Sequence, residues 1–188
     1  MDEEHNKRIR LFTGLSLDPE VRDYVAGISS DLSEGFTGVR WVPIENLHVT
    51  LKFLGWCDPE IVPRLLEVME EAASLLPLEL NVGGVGGFPS HGSARVIWVG
   101  AEEVTGKAVE VFKRMERGMA KFGFKREKRR YHPHITIGRA RKKPVKIPEE
   151  VFRSFESRMI LEIKDLVLFR SELKKTGAEY SIVARVCP

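Results

Sequence analysis

The stretch LHVTLKFLG, residues 47–55, reads as a strand with two unlike sides. Successive side chains of a strand point to opposite faces, so Val49, Leu51 and Phe53 share one face while His48, Thr50 and Lys52 share the other. The first face suits a hydrophobic core. The second sets an imidazole, a hydroxyl and an ammonium in a row, which suits water, a partner strand or an anion. One such segment says little, because a strand histidine is usually satisfied within the fold. The phrase returns, however, as His134-Ile135-Thr136-Ile137, matching His48-Val49-Thr50-Leu51 in order and polarity.

Working outward from each copy, the chain repeats a larger unit. The first half predicts a strand at IRLFTGLSL (residues 9–17) and a helix begun by Asp18-Pro19 and running to about Leu32. The opening strand follows, then a helix from Asp58-Pro59 to about Leu75, then LELNVGGVGGF as a strand whose glycines suggest a bulge. The second half runs through ARVIWVGA (94–101), a helix over 105–121 from the period of Ala108, Val111, Phe112 and Met115, and HITIGRAR. A short helix at 149–155 precedes two last strands, MILEIKDLVLF and AEYSIVARV. A repeated supersecondary unit of this kind decides the fold class. It predicts an α+β protein: a bilobal pseudo-twofold repeat, with two mainly antiparallel sheets flanking a central cleft and helices on the outer faces. No long linker divides the halves, so residues 1–188 are expected to form one compact domain of two related lobes.

Composition bounds the setting. With 43% hydrophobic residues the chain can bury a real core, yet no run of about 18 apolar residues offers a membrane span. MDEEHNKRIRLF lacks the apolar stretch of a secretory signal. Cys57 and Cys187 suggest neither a disulfide framework nor a metal site. The expectation is a monomer of a reducing cytoplasm with no membrane partner. Glutamine is absent and asparagine occurs only at positions 6, 46 and 81, and 30% of residues are charged, a usage that resembles hyperthermophile proteins.

Two His-x-Thr-x motifs in a bilobal chain of this size resemble the two-histidine (2H) phosphoesterase superfamily. RWVPIENLHVTLKFLG together with HPHITIGRAR is similar to the RNA 2′,3′-cyclic phosphodiesterase branch, the LigT-like proteins also called 2′-5′ RNA ligases. The similarity extends to RLFTGLSL, GVGGFPSHGSARVIWVG and the closing LVLFRSEL and GAEYSIV segments. It implies hydrolysis of a 2′,3′-cyclic phosphate to a 2′-phosphate without metal or cofactor, with joining of RNA ends as a further activity in some members. The implied ligands are RNA ends or small nucleotides with a 2′,3′-cyclic phosphate. The family pattern also places a phosphate-contacting arginine at Arg139.

The residues suit that chemistry on their own terms. Opening a cyclic phosphodiester requires one group to take a proton from water and another to give one to the leaving ribose oxygen. Imidazole serves both tasks near neutral pH. His48 and His134 are therefore the candidate catalytic pair, and which is base and which acid stays open. Thr50 and Thr136 can donate hydrogen bonds to nonbridging phosphate oxygens. No carboxylate accompanies the quartet, which does not fit a metal site. Strict alternation would put Arg139 on the face opposite His134, unless Gly138 hosts a bulge. Lys52 is read either as a substrate contact or as a solvated strand-end lysine. Phe12 and Tyr180 are candidates for stacking on a base, ahead of Trp41 and Phe88. His5, His91 and His132 lie outside the repeated phrase and receive no role.

Lys121, Lys125, Arg126, Lys128, Arg129 and Arg130 precede the second motif, and Arg141, Lys142, Lys143 and Lys146 follow it. They are either a solvated surface or, with Phe122, Phe124 and Tyr131 among them, a contact for an RNA backbone. GVGGFP and GFPSHGS match neither a dinucleotide fingerprint nor a P-loop, so no nucleotide cofactor is expected. Two other readings remain. One is a noncatalytic RNA-binding module; the other is the same catalytic core acting on ADP-ribose cyclic phosphate or a 2′-5′ oligonucleotide.

Overall fold

The computed structural model describes residues 8–103, 105–155, 158–174 and 177–188. In chain order its elements are β1 (Ile9–Ser16), α1 (Pro19–Gly35), β2 (Val39–Trp41), β3 (His48–Cys57), α2 (Val62–Ala73), β4 (Leu78–Phe88), β5 (Val96–Glu102), α3 (Lys107–Ala120), β6 (His134–Ala140), α4 (Glu149–Ser154), β7 (Arg158–Ile163), β8 (Leu166–Lys174) and β9 (Gly177–Val186). The Asp18 carboxylate accepts from the Val21 amide and Pro19 opens α1, as the Asp-Pro signal requires. At the second Asp-Pro, Asp58 caps a 3₁₀ turn over Pro59–Ile61 that leads into α2.

The fold is α+β, and every pairing among the described strands is antiparallel. The expectation of two separate sheets is corrected by the strand order, β7-β4-β5-β6-β3-β1-β8-β9, with β2 added beside β6. One continuous sheet results because the two motif strands meet edge to edge, through the single pair Val49 and Ile135. Reading outward from this seam, each motif strand is flanked by the strand that opens its own half of the chain, β1 beside β3 and β5 beside β6. Val49, Leu51, Ile135 and Ile137 turn inward and pack with Val25 of α1, Met69 of α2 and Met115 of α3.

Both motif strands carry a bulge at the same place. Against β1, Thr50 pairs with Gly14 and Lys52 with Thr13, which leaves Leu51 as the extra residue. Against β5, Thr136 pairs with Trp98 and Gly138 with Ile97, which leaves Ile137 as the extra residue. A bulge shifts the side-chain alternation by one, so everything beyond it changes face. Phe53 is therefore not a core residue: it is 60% exposed on the side of His48 and Thr50. Arg139 is carried in the same way to the side of His134 and Thr136. Lys52 moves in the opposite sense, and neither reading of it as a substrate contact nor as a solvated lysine holds. It is buried, with Nζ 2.6 Å from Oε1 of the buried Glu116 on α3 and 2.8 Å from the Lys125 carbonyl. Oε2 of Glu116 accepts from the Glu127 amide at 2.8 Å, so the ion pair also ties down the basic loop.

Removing one partner of a buried pair strands the other charge, at a cost of about 3–5 kcal/mol. Glu116→Ala and Lys52→Ala should each lose stability of that order in denaturant unfolding. A loss below about 1 kcal/mol in both would contradict the burial of this pair.

Candidate active site

The seam sets the four motif side chains. Extending the antiparallel register of Val49 and Ile135 by one residue each way puts His48 beside Thr136 and Thr50 beside His134, all on the face away from the helices. The two histidines are held alike. Nδ1 of His48 lies 2.7 Å from the Asn46 carbonyl, and Nδ1 of His134 lies 2.7 Å from the His132 carbonyl. A carbonyl only accepts, so each Nδ1 carries the proton and each Nε2 bears the ring's lone pair. The Thr50 hydroxyl donates to Nε2 of His48 at 3.0 Å. Asn46 is itself buried and anchored, its amide donating to the Ala178 carbonyl of β9 at 2.8 Å. Tyr131 braces the two halves: its ring stacks on Phe112 at 4.3 Å, and its hydroxyl donates to the Thr50 carbonyl at 3.1 Å.

Packing and charge both hold the imidazoles neutral. Burial dominates at His48 and, against the pull of the Asn46 carbonyl, lowers its pKa to about 4, with Arg139 and His134 adding repulsion. His134 is lowered by burial too, with Arg139 and His132 contributing. The influence of Arg139 on both rings agrees with its place on their face. Gly14 allows β1 to approach, since a Cβ there would lie 2.6 Å from the Val49 carbonyl oxygen and 3.5 Å from Cδ2 of His48.

The aromatic candidates divide. Phe12 is only 2% exposed, stacked on Phe169 at 4.8 Å and covered by His48 and Tyr180. It has no face to offer a base, and instead forms the floor under His48. Tyr180 is half-buried at the site, edge-on to His48 at 5.4 Å. Phe53 extends the same floor, 5.9 Å from Phe12. Around His134 the rings are Phe88 at 5.0 Å and Trp98 at 6.2 Å, while Trp41 packs against the main core. Beyond them, an open trough of about 400 Å³ continues over Gly83, Gly84 and Gly100. His91 lies by Phe152, and His132 serves through its carbonyl; His5 falls outside the described residues. No group of three or more metal-ligating side chains occurs among the described residues.

Asn46 and Phe169 were not singled out from sequence, and Tyr131 was read only as an aromatic of the basic loop; the structure instead packs it on Phe112. Asn46 carried one signal, as a rare amide just before the motif; the other two depend on strands and loops that only the fold brings together.

A family model for LigT-like phosphoesterases matches the chain twice, over residues 15–98 and 99–180. The chain belongs to the LigT-like phosphoesterase family. The tandem match divides this LigT-like phosphoesterase between its two motifs, as the internal repeat requires. It is 35% identical over 173 residues to an RNA 2′,3′-cyclic phosphodiesterase of Archaeoglobus fulgidus, covering 92% of this chain and 96% of that one. A protein of the same name from Methanocaldococcus jannaschii is 32% identical, with 93% and 98% covered. A crystal structure of a Thermus thermophilus protein superimposes with a TM-score of 0.81 at 26% identity, covering 95% and 97%. Escherichia coli LigT in complex with 3′-AMP shares the fold, with a TM-score of 0.76 at 23% identity over 96% and 98%. No helix among the described residues of this family member is long and apolar enough to cross a membrane.

The shared ring geometry is directly testable. Nitrogen-detected NMR of the imidazoles should find both as Nδ1–H tautomers at pH 7, with His48 still neutral at pH 5. Titration of His48 near 6.5 would contradict its burial against Phe12 and Phe169.

Proposed function

We propose that this chain is an RNA 2′,3′-cyclic phosphodiesterase, a single domain of two pseudo-twofold halves that each supply one histidine and one threonine. The observation that carries the reading is the convergence of His48, Thr50, His134 and Thr136 on one face, with both Nδ1 atoms engaged by backbone, so that Nε2 is the nitrogen of each ring that can exchange a proton, that of His48 once the Thr50 hydroxyl turns from it to the phosphate. The names of the relatives supply the reaction. His48, the ring with its pKa lowered to about 4, is neutral and serves as base. It takes a proton from water as the water oxygen bonds to phosphorus. The bond from phosphorus to the ribose 3′ oxygen breaks, and protonated His134 gives that oxygen its proton, leaving a 2′-phosphate. Thr50, Thr136 and Arg139 stabilise the charge on the nonbridging oxygens. With the 5′ hydroxyl of another RNA end in place of water, the same transfers would form a 2′-5′ bond, the ligase activity. Tyr180 and Phe53 offer the base a surface beside His48. Metal is not required in this scheme, since protons and hydrogen bonds balance every charge that forms.

The test is hydrolysis of 2′,3′-cyclic nucleotide and cyclic-phosphate-ended RNA in EDTA. Wild type should yield the 2′-phosphate, and His48→Ala and His134→Ala should each lose at least roughly a hundredfold in rate. Full activity in either variant, or loss in EDTA restored by metal, would sink the mechanism.

The pH dependence follows from the two rings. The productive free enzyme has His48 neutral, which holds above about 4, and His134 protonated, which holds only below a pKa lowered from 6.5. The kcat/KM profile should be bell-shaped with its maximum on the acid side of pH 6.5. A maximum above pH 7 would contradict the lowering of both imidazole pKa values on which the scheme rests.

A further inference from the structure

Arg139 has a neighbour that the repeated motif does not contain. In the short pairing of β2 with β6, Arg40 stands directly opposite Arg139. Residues directly opposite across two antiparallel strands share a face, so Arg40 lies on the side that the bulge at Ile137 gives to Arg139. The neighbours in the same register agree. Val39 and Trp41 pack against Gly138 on the core side, where a Cβ on Gly138 would lie 2.8 Å from Val39 and 3.2 Å from Trp41, leaving Arg40 to point the other way. Both arginines are exposed, and neither has an ion-pair partner among the described residues.

Two like charges directly opposite in a sheet repel each other. A strand that needed only solubility could have paired Arg139 with a carboxylate, as Arg185 is paired with Asp165 and Arg129 with Glu127 elsewhere in this protein. A conflict of this kind is characteristic of functional sites, and an anion resolves it. The guanidinium fork suits a phosphate oxygen pair.

We propose that Arg40 binds the backbone phosphodiester one nucleotide upstream of the cyclic phosphate, while Arg139 serves the reacting phosphate. The inference rests on the phosphodiesterase reading above. The direction follows from chemistry: a 2′,3′-cyclic phosphate closes the 3′ end, so the rest of an RNA chain extends only from the 5′ side. Arg139 reaches both histidines electrostatically, so it belongs to the reacting phosphate. Arg40, one strand further from β5, is aligned for the next charge along the chain. Arg141, whose amide bonds to the Gly38 carbonyl, continues the positive strip in the same pairing. The preferred substrate is then an RNA end rather than a free cyclic mononucleotide.

The experiment compares kcat/KM for a 2′,3′-cyclic mononucleotide and for a dinucleotide ended by the same cyclic phosphate. Wild type should favour the dinucleotide. Arg40→Ala should cut its kcat/KM by roughly 10- to 100-fold, the worth of a charge-assisted hydrogen bond, with the mononucleotide changed less than about twofold. Arg40→Lys should restore part of the loss. A second arm measures binding of the 2′-phosphate-ended dinucleotide against salt, where Arg40→Ala should reduce the log–log slope by about 0.7. Equal losses on both substrates, or no loss on either, would overturn the proposal. If wild type hydrolysed neither substrate yet bound the dinucleotide through Arg40, the reaction would be wrong and the phosphate subsite right.

Discussion

A single antiparallel contact, Val49 of β3 against Ile135 of β6, is the constraint on which the rest of the molecule depends. Each half of the chain builds only half of the candidate site: one imidazole, one hydroxyl and a floor of rings. The seam sets the two halves at strand spacing and in a register that alternates histidine with threonine. Matched bulges at Leu51 and Ile137 then act on both sides of it. They send Leu51 and Lys52, and likewise Ile137 and Gly138, into the core in succession. What lies beyond comes back to the site face as Phe53 in one half and Arg139 in the other. The same backbone device delivers an aromatic surface on one side and a cation on the other, so two similar halves would serve the two ends of the unsymmetrical ligand proposed for them.

Much of this was legible in the sequence because it depends on local pattern. The repeated His-x-Thr phrase, the Asp-Pro helix starts and the helical period of Ala108 to Met115 each report the geometry that they form. Gly138 even marked the place where alternation fails before Arg139. No glycine marks the bulge at Leu51, so strict alternation sent Phe53 to the core and Lys52 to the surface, each to the wrong side. The buried Lys52–Glu116 pair was invisible for a related reason: a lysine within a strand gives no sign of a carboxylate on a distant helix. Phe12 was legible as an aromatic near the site but not as its floor, because the residues that cover it, Phe169 and Tyr180, come from strands at the other end of the chain. The continuity of the sheet had no sequence signal, since it hangs on one residue pair.

Burial and charge set the protonation of the two imidazoles on which the proposed mechanism depends. Packing the His48 ring against Phe12 and Phe169 disfavours its charged form, and Arg139 disfavours it further. The arginine that would bind the phosphate therefore also keeps the base neutral before the substrate arrives. An incoming phosphodiester would offset the arginine's charge and favour a proton on His134, the ring with the smaller floor of aromatics. Ligand charge and protonation state are coupled through the same few side chains.

The central claim is that His48 and His134 act on one phosphate as a unit, and a double-mutant comparison tests it most directly. Rates with cyclic-phosphate-ended RNA should be measured for His48→Ala, His134→Ala and the variant carrying both changes. If the pair is one machine, the double variant will be no slower than the slower single variant by more than a few-fold, because removing either group already removes the concerted proton transfer. Losses that multiply would mean that the two histidines work independently, and would contradict the account.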